Sequence, residues 1–311
     1  MLERRGAAVW PGKCHNWHLD SSGRKPRDVT EVNRGTSEGP STVTSTSAVT
    51  PQDLADALTA LRERPPLVQC LTGIVVASWT ANVLHAVGAA PAMVDNSKEA
   101  GRFATLAGGV LVNLGTPHDE TARAMHVAVA GAKLMHTPWV LDPVAAGVLA
   151  WRTQIAHQLL LEARPTIIRG NASEILALGG GTGGMGVQST ETPEDALEAA
   201  KDLATAQSTV IAVSGPTDHI TDGVHVVRLS NGHPWLTSIT GGGCALGALM
   251  AAFAAVVPDA LVAAAAATAT LTVAAESAAQ QARGPGSFAV ALLDELSLLQ
   301  PADLADRVRI T

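Results

Sequence analysis

The stretch Gly109-Val110-Leu111-Val112-Asn113-Leu114-Gly115-Thr116 decides the fold. Its apolar residues run without polar alternation, so a strand over Gly109–Asn113 needs cover on both faces, and the run stops on an amide and a glycine turn. Residues 139–142, 166–169 and 209–214 read the same way: apolar, then polar or glycine. Leu67–Leu71 and residues 225–229 are two further strand candidates. Alanine-rich helical segments separate these runs. The first opens at Pro51-Gln52-Asp53-Leu54, with proline in the first turn and Leu54, Leu58 and Leu61 on one stripe. The alternation predicts an α/β fold, a central mostly parallel sheet with helices on both faces, and such sheets bind ligands beyond the C-terminal ends of their strands.

Those strand ends carry the polar residues. Asn113 is followed by Leu114-Gly115-Thr116, Asp142 by Pro143-Val144-Ala145-Ala146-Gly147, Arg169 by Gly170-Asn171-Ala172-Ser173-Glu174, and Ser214 by Gly215-Pro216-Thr217-Asp218. Each has a plain structural alternative: Asp142 as a helix cap, Asn171 and Ser214 as turn formers, Arg169 as a surface charge. Their convergence on one edge points instead to a shared phosphate and metal site. Ile239-Thr240-Gly241-Gly242-Gly243-Cys244-Ala245-Leu246-Gly247 supplies the matching cradle. Three glycines let backbone approach an anion closely, and the helix that follows leaves N–H donors unpaired at its positive end. A cysteine in that first turn is expected to have a lowered pKa and some thiolate character.

With 311 residues, nearly half of them apolar, the chain has enough material for a large core. A net charge of −7 and scattered basic residues argue against a nucleic-acid partner. Three cysteines, Cys14, Cys70 and Cys244, fit a reduced, cytoplasmic setting. The start of the chain lacks the apolar segment of a signal peptide. Residues 244–275 are very apolar, but Pro258-Asp259 interrupts them and alanine dominates, so two buried helices are expected rather than a membrane span. Residues 1–50 mix Arg, Ser, Thr, Gly and Pro without periodicity and are expected to be a disordered low-complexity tail, in which Cys14, His15 and His18 make no metal site. Residues 51–311 form a single domain in this reading. Gly179 to Gly186 reads as a connector, Trp79, Trp139, Trp151 and Trp235 as core or interface filler, and Cys70 as a small buried hydrophobe.

An ordered set of motifs resembles the hydroxyethylthiazole kinase family. It comprises Thr80-Ala81-Asn82, Gly88-Ala89-Ala90-Pro91-Ala92-Met93, Asn113-Leu114-Gly115-Thr116, Leu141-Asp142-Pro143-Val144, Ile168-Arg169-Gly170-Asn171-Ala172-Ser173-Glu174, Asn231-Gly232-His233, Thr240-Gly241-Gly242-Gly243-Cys244 and Gly284-Pro285-Gly286-Ser287-Phe288. The resemblance spans about Pro66 to Leu299. It implies a ribokinase-like fold and ATP-dependent phosphorylation of the hydroxyl of 4-methyl-5-(2-hydroxyethyl)thiazole in thiamine salvage. It also implies a homotrimer with the thiazole site between subunits, no membrane and no nucleic acid. Carried onto this sequence, Met93 and Gly241 would bind the thiazole alcohol, and Arg169, Ser214, Asn171, Gly242 and Gly243 the nucleotide. Cys244 would stand beside the hydroxyl as the catalytic residue, with Asp142 and Glu174 as the acidic pair for Mg2+, held directly or through water.

The chain departs from the family pattern in places. Leu71-Thr72-Gly73 stands where relatives usually read Ile-Thr-Asn, Ala145 where they have glycine, Gln69 where they have histidine, Ser214 where threonine is usual, and Glu99-Ala100 where a glutamate pair is expected. Gly73 in particular implies an acceptor pocket opened by the loss of an amide. Two alternatives therefore stand beside the first reading: a kinase for another small heterocyclic alcohol, and a catalytically weak protein that binds nucleotide or thiazole.

Overall fold

The computed structural model describes residues 49–180 and 191–311. The tail, except for its last two positions, and most of the connector expected at Gly179 to Gly186 lie outside them. The elements in chain order are α1 (Pro51–Glu63), β1 (Leu67–Leu71), α2 (Ala77–Val87), β2 (Ala90–Ala92), α3 (Ala100–Ala104), β3 (Gly109–Asn113), α4 (Asp119–Met135), β4 (Trp139–Asp142), α5 (Ala150–Glu162), β5 (Ile167–Asn171), α6 (Ala172–Leu178), α7 (Leu197–Gln207), β6 (Val210–Ser214), β7 (Asp218–Thr221), β8 (Val226–Leu229), α8 (Gly242–Ala254), α9 (Ala260–Gln281), α10 (Pro285–Leu298) and α11 (Pro301–Arg307). Thr50 caps α1, exchanging bonds with Asp53 three residues on.

All eight strands join one sheet in the order β2-β1-β3-β4-β5-β6-β7-β8. The pairs from β2 through β6 are parallel, while β6, β7 and β8 form an antiparallel meander. The expected parallel core is therefore present, with two strands that its sequence pattern did not announce. β2 is three residues long with Pro91 at its centre, tolerable at a sheet edge, and β7 reads Asp-His-Ile-Thr, too polar for the apolar-run test. The last strand was expected, but not its antiparallel direction.

Successive residues of each strand feed opposite layers. Val68, Leu111, Val140, Ile167 and Ala212 face α1, α8, α9 and α10, whereas Val110, Val112, Leu141, Ile168 and Ile211 face α4, α5 and α7. The apolar segment after Cys244 divides at residues 255–259 into α8 and α9, as expected. By length and composition α9 could cross a membrane, yet 78% of its apolar window is buried inside the protein. Trp139 is buried, Trp79 and Trp235 are partly so, and Trp151 is exposed. Residues 309–311 run antiparallel to the outer side of β8, with Thr311 N–H donating to Arg228 C=O at 3.0 Å and a bridge between Leu229 and Ile310.

Candidate active site

The C-terminal ends of β3, β4, β5 and β6 place Asn113, Asp142, Arg169 and Ser214 along one rim of the sheet. The glycine run meets this rim from above. Gly241 caps α8 at φ 93°, a left-handed value open to glycine, and Gly242, Gly243 and Cys244 form the first turn. The helix descends so closely that a Cβ on Gly247 would lie 3.5 Å from Asp142 Oδ2. Cys244, three residues earlier, shares that face.

Arg169 is the centre of the charge pattern. Its Nη1 is 3.4 Å from Asp142 Oδ1, and its Nη2 donates to Ser214 Oγ at 3.2 Å. Its Nε is buried without a partner among the described residues. Burial works against the guanidinium charge, but Asp142 and Glu174 outweigh it and raise the pKa further. Asp142 is fully buried. Burial pushes its carboxyl up to about 6 against the opposing pull of Arg169. Asn113 donates to Asp142 Oδ2 at 2.6 Å.

The lowered pKa expected for Cys244 is not what the structure gives. Burial, with the neighbouring Asp142 carboxylate second, raises the thiol, while Asn113 and Arg169 oppose them. The sequence argument counted the helix terminus but not the acid under it.

Asn171 and Glu174 form a capping box at the start of α6. Asn171 Oδ1 accepts from Glu174 N–H at 2.9 Å, and Glu174 Oε2 accepts from Asn171 N–H at 2.9 Å. Glu174 Oε1 also accepts from Ala145 N–H at 2.9 Å. That bond holds the loop after β4, in which Ala145 has a left-handed φ of 63°. Asn171 thus serves as the cap of α6 and Glu174 as its reciprocal partner, on the same rim as the arginine. Among the described residues no three His, Cys, Asp or Glu side chains gather to hold a metal ion.

A cavity of about 580 Å3 opens beside this rim, lined by Arg169, Asn171, Ser214, Gly242 and Gly243, and on its far side by Asp218, His233 and Leu271. Five of the residues assigned to nucleotide from the sequence therefore share one space. A larger recess of about 850 Å3 lies at the opposite edge of the sheet, around Lys133, Arg164 and Asp222, and contains none of the site residues. Met93 is not in the cavity. It follows β2 on the other side of β1 and is exposed. Gly73 is not the opening that its loss of an amide implied: a Cβ there would sit 2.7 Å from Gly115 C=O and 2.8 Å from Thr116 Oγ1.

Two segments quoted from the sequence without an assigned role line the cavity. Asp218, at the start of β7, accepts from Gly215 N–H at 3.0 Å, and burial pushes its carboxyl up to about 7. The turn at Asn231-Gly232-His233 is clamped from outside the cavity. Glu276 of α9 accepts from Gly232 N–H at 3.0 Å, Asn231 accepts from Arg309 N–H at 2.6 Å, and His233 packs edge-on against Trp235 with centroids 4.8 Å apart. Phe288 completes that aromatic group, 5.8 Å from Trp235, which gives the Gly284-Pro285-Gly286-Ser287-Phe288 motif its place.

Sheet order, glycine-led helix and cavity define an α/β fold of the ribokinase-like class. A pyridoxal kinase from Bacillus subtilis solved as an ADP complex shares it at TM-score 0.51 and 17% identity, over 68% of this chain and 91% of that one. Residues 58–302 match the family model for the hydroxyethylthiazole kinase family, and the chain belongs to that family. It is 57% identical to the hydroxyethylthiazole kinase of Clavibacter sepedonicus over 258 residues, 83% of this chain and 94% of the relative. It is 52% identical to that of Cutibacterium acnes over 255 residues, 82% and 92% of the two chains. The hydroxyethylthiazole kinase structure from Pyrococcus horikoshii OT3 superposes at TM-score 0.77 and 36% identity, covering 83% of this chain and 98% of that chain.

Proposed function

We infer that this chain transfers the terminal phosphoryl group of ATP to the primary alcohol of 4-methyl-5-(2-hydroxyethyl)thiazole, a thiamine-salvage reaction. The observation that carries the reading is the stacking of Arg169 over the Gly243–Cys244 turn, beside a cavity of nucleotide size, in a member of this family. Phosphoryl transfer asks for positioning and charge neutralisation more than covalent chemistry. Arg169 supplies a fixed planar donor, its Nε still unpaired, and the first turn of α8 supplies backbone N–H groups for the charge on the moving phosphoryl group. Cys244 stands beside the acceptor hydroxyl. Its raised pKa keeps the thiol protonated, so it orients the alcohol, while the proton leaves late in a loose transition state to an oxygen of the transferred phosphoryl group.

Mg2+ in this reading enters with the nucleotide and, when bound, offsets phosphate charge. The donor set fits a hydrated ion: all four oxygens of Asp142 and Glu174 already accept protein donors, leaving their remaining lone pairs to receive hydrogen bonds from metal-bound water. Asn171 and Ser214 line the nucleotide space and hold Glu174 and Arg169 in place.

The acceptor half is completed by a second copy, in a homotrimer. Met93 lies apart from the cavity, and Ile74 and Val75 are 78% and 67% exposed in the loop that leads to Val76, which packs on Gly241. Free thiols at Cys70 and Cys244 accord with a cytoplasmic setting. An ADP-release assay over a panel of thiazole and pyrimidine alcohols tests the reading: turnover with the hydroxyethylthiazole is expected, and turnover with none of the panel overturns it. Cys244→Ser should lower kcat by less than the roughly 10²-fold of a lost general base, with little change in ATP binding.

A further inference from the structure

Asn113 has no role in the chemistry described so far, yet its amide is fully buried at the point where β3, β4 and α8 meet. It stands opposite Asp142 in the parallel register. Its Oδ1 accepts from Gly115 N–H at 2.9 Å, which fixes the orientation of the amide and turns the NH2 group toward the reacting side. There the nitrogen donates to Asp142 Oδ2 at 2.6 Å, close to the helix α8 that carries Cys244.

We propose that Asn113 is a positioning residue for phosphoryl transfer, its side-chain amide holding the Asp142 carboxylate in fixed orientation at the point of reaction. The proposal rests on the reading of this rim as the place where the phosphoryl group moves. Asp142 Oδ2 has one other donor, Arg169 Nη1 at 3.5 Å. Without the amide, the carboxylate keeps only these long contacts with the guanidinium and is free to turn toward it or toward α8. Either movement displaces a group that the transition state needs, while the nucleotide cavity, in which Asn113 has no part, is left intact. A residue serving only to satisfy the turn after β3 would need the Gly115 bond and no donor aimed at Asp142.

Two isolable variants separate these roles. Asn113→Asp keeps the shape and the acceptor for Gly115 but removes the donor, and Asn113→Ala removes both. Each is expected to lower kcat about tenfold or more and to change the apparent KM for ATP less than about threefold. An unchanged kcat, or a KM for ATP that moves as far as kcat does, would overturn the proposal. A wild type inactive toward thiazole alcohols would overturn the proposed function instead. If Asn113→Asp does not fold, Asn113→Ser takes its place in both measurements.

Discussion

The guanidinium of Arg169 fills the space that Gly243 leaves by having no side chain: a Cβ on Gly243 would fall 2.6 Å from Nη2 and 2.9 Å from Nη1. Strand β5 and helix α8 are thereby locked at their functional ends, and the glycine run serves the arginine as much as the phosphate. Gly243→Ala should push Arg169 off Ser214, raise the KM for ATP by about an order of magnitude and lower kcat, with the melting temperature changed little, because the side chain has room toward the cavity. Unaltered kinetics would mean that the arginine works equally well displaced.

Arg169→Ala should raise the KM for ATP and lower turnover while leaving the KM for the acceptor unchanged. It also strips Asp142 of its only cationic neighbour among the described residues, so stability should fall by up to about 3 kcal/mol. The carboxyl, already raised to about 6, rises further when the arginine is gone. The variant's deficit should therefore be greater at pH 8 than at pH 5, which urea unfolding at the two values measures.

Asp218 gives stability a slope with pH. Its carboxyl is pushed by burial from 3.8 to about 7, so the folded state binds a proton that the unfolded chain releases. The contribution is complete below about pH 4 and is lost as pH rises through about 7, with Asp142 adding a slope of the same sign up to about 6. Asp218→Asn keeps an oxygen for Gly215 N–H but does not titrate. The variant should gain on the wild type in melting temperature between pH 5 and pH 8. A constant difference would show that Asp218 is ionised throughout.

Gly73→Asn, which restores the family's usual residue, should not restore a thiazole contact. The added Cβ meets Gly115 C=O and Thr116 Oγ1, so the loops after β1 and β3 must separate, at a cost of about 1–3 kcal/mol and some activity. A lower KM for the thiazole alcohol with an unchanged melting temperature would contradict this.

The parallel half of the fold was legible because burial on both faces leaves an apolar run that nothing else explains. Leu111 and Val112 feed opposite cores, and both had to be apolar. β7 was hidden because its Asp218, His219 and Thr221 are buried by pairing and turn contacts rather than by apolar packing, a satisfaction that only three dimensions reveal. The positions of Arg169, Asn171, Ser214 and the glycine turn were readable from where strands end. Their partners were not. That Glu174 holds the Ala145 loop, that burial and the nearby Asp142 raise the pKa of Cys244, and that Gly73 is walled by Gly115 all depend on contacts between segments far apart in the chain.

Both margins of the sheet are finished. On one side β2 is short and carries Pro91, which has no N–H to offer; on the other, residues 309–311 occupy the backbone groups of β8. Neither margin therefore offers a long row of free backbone groups on which a further strand could template, and an eight-stranded sheet is closed to growth into ribbons.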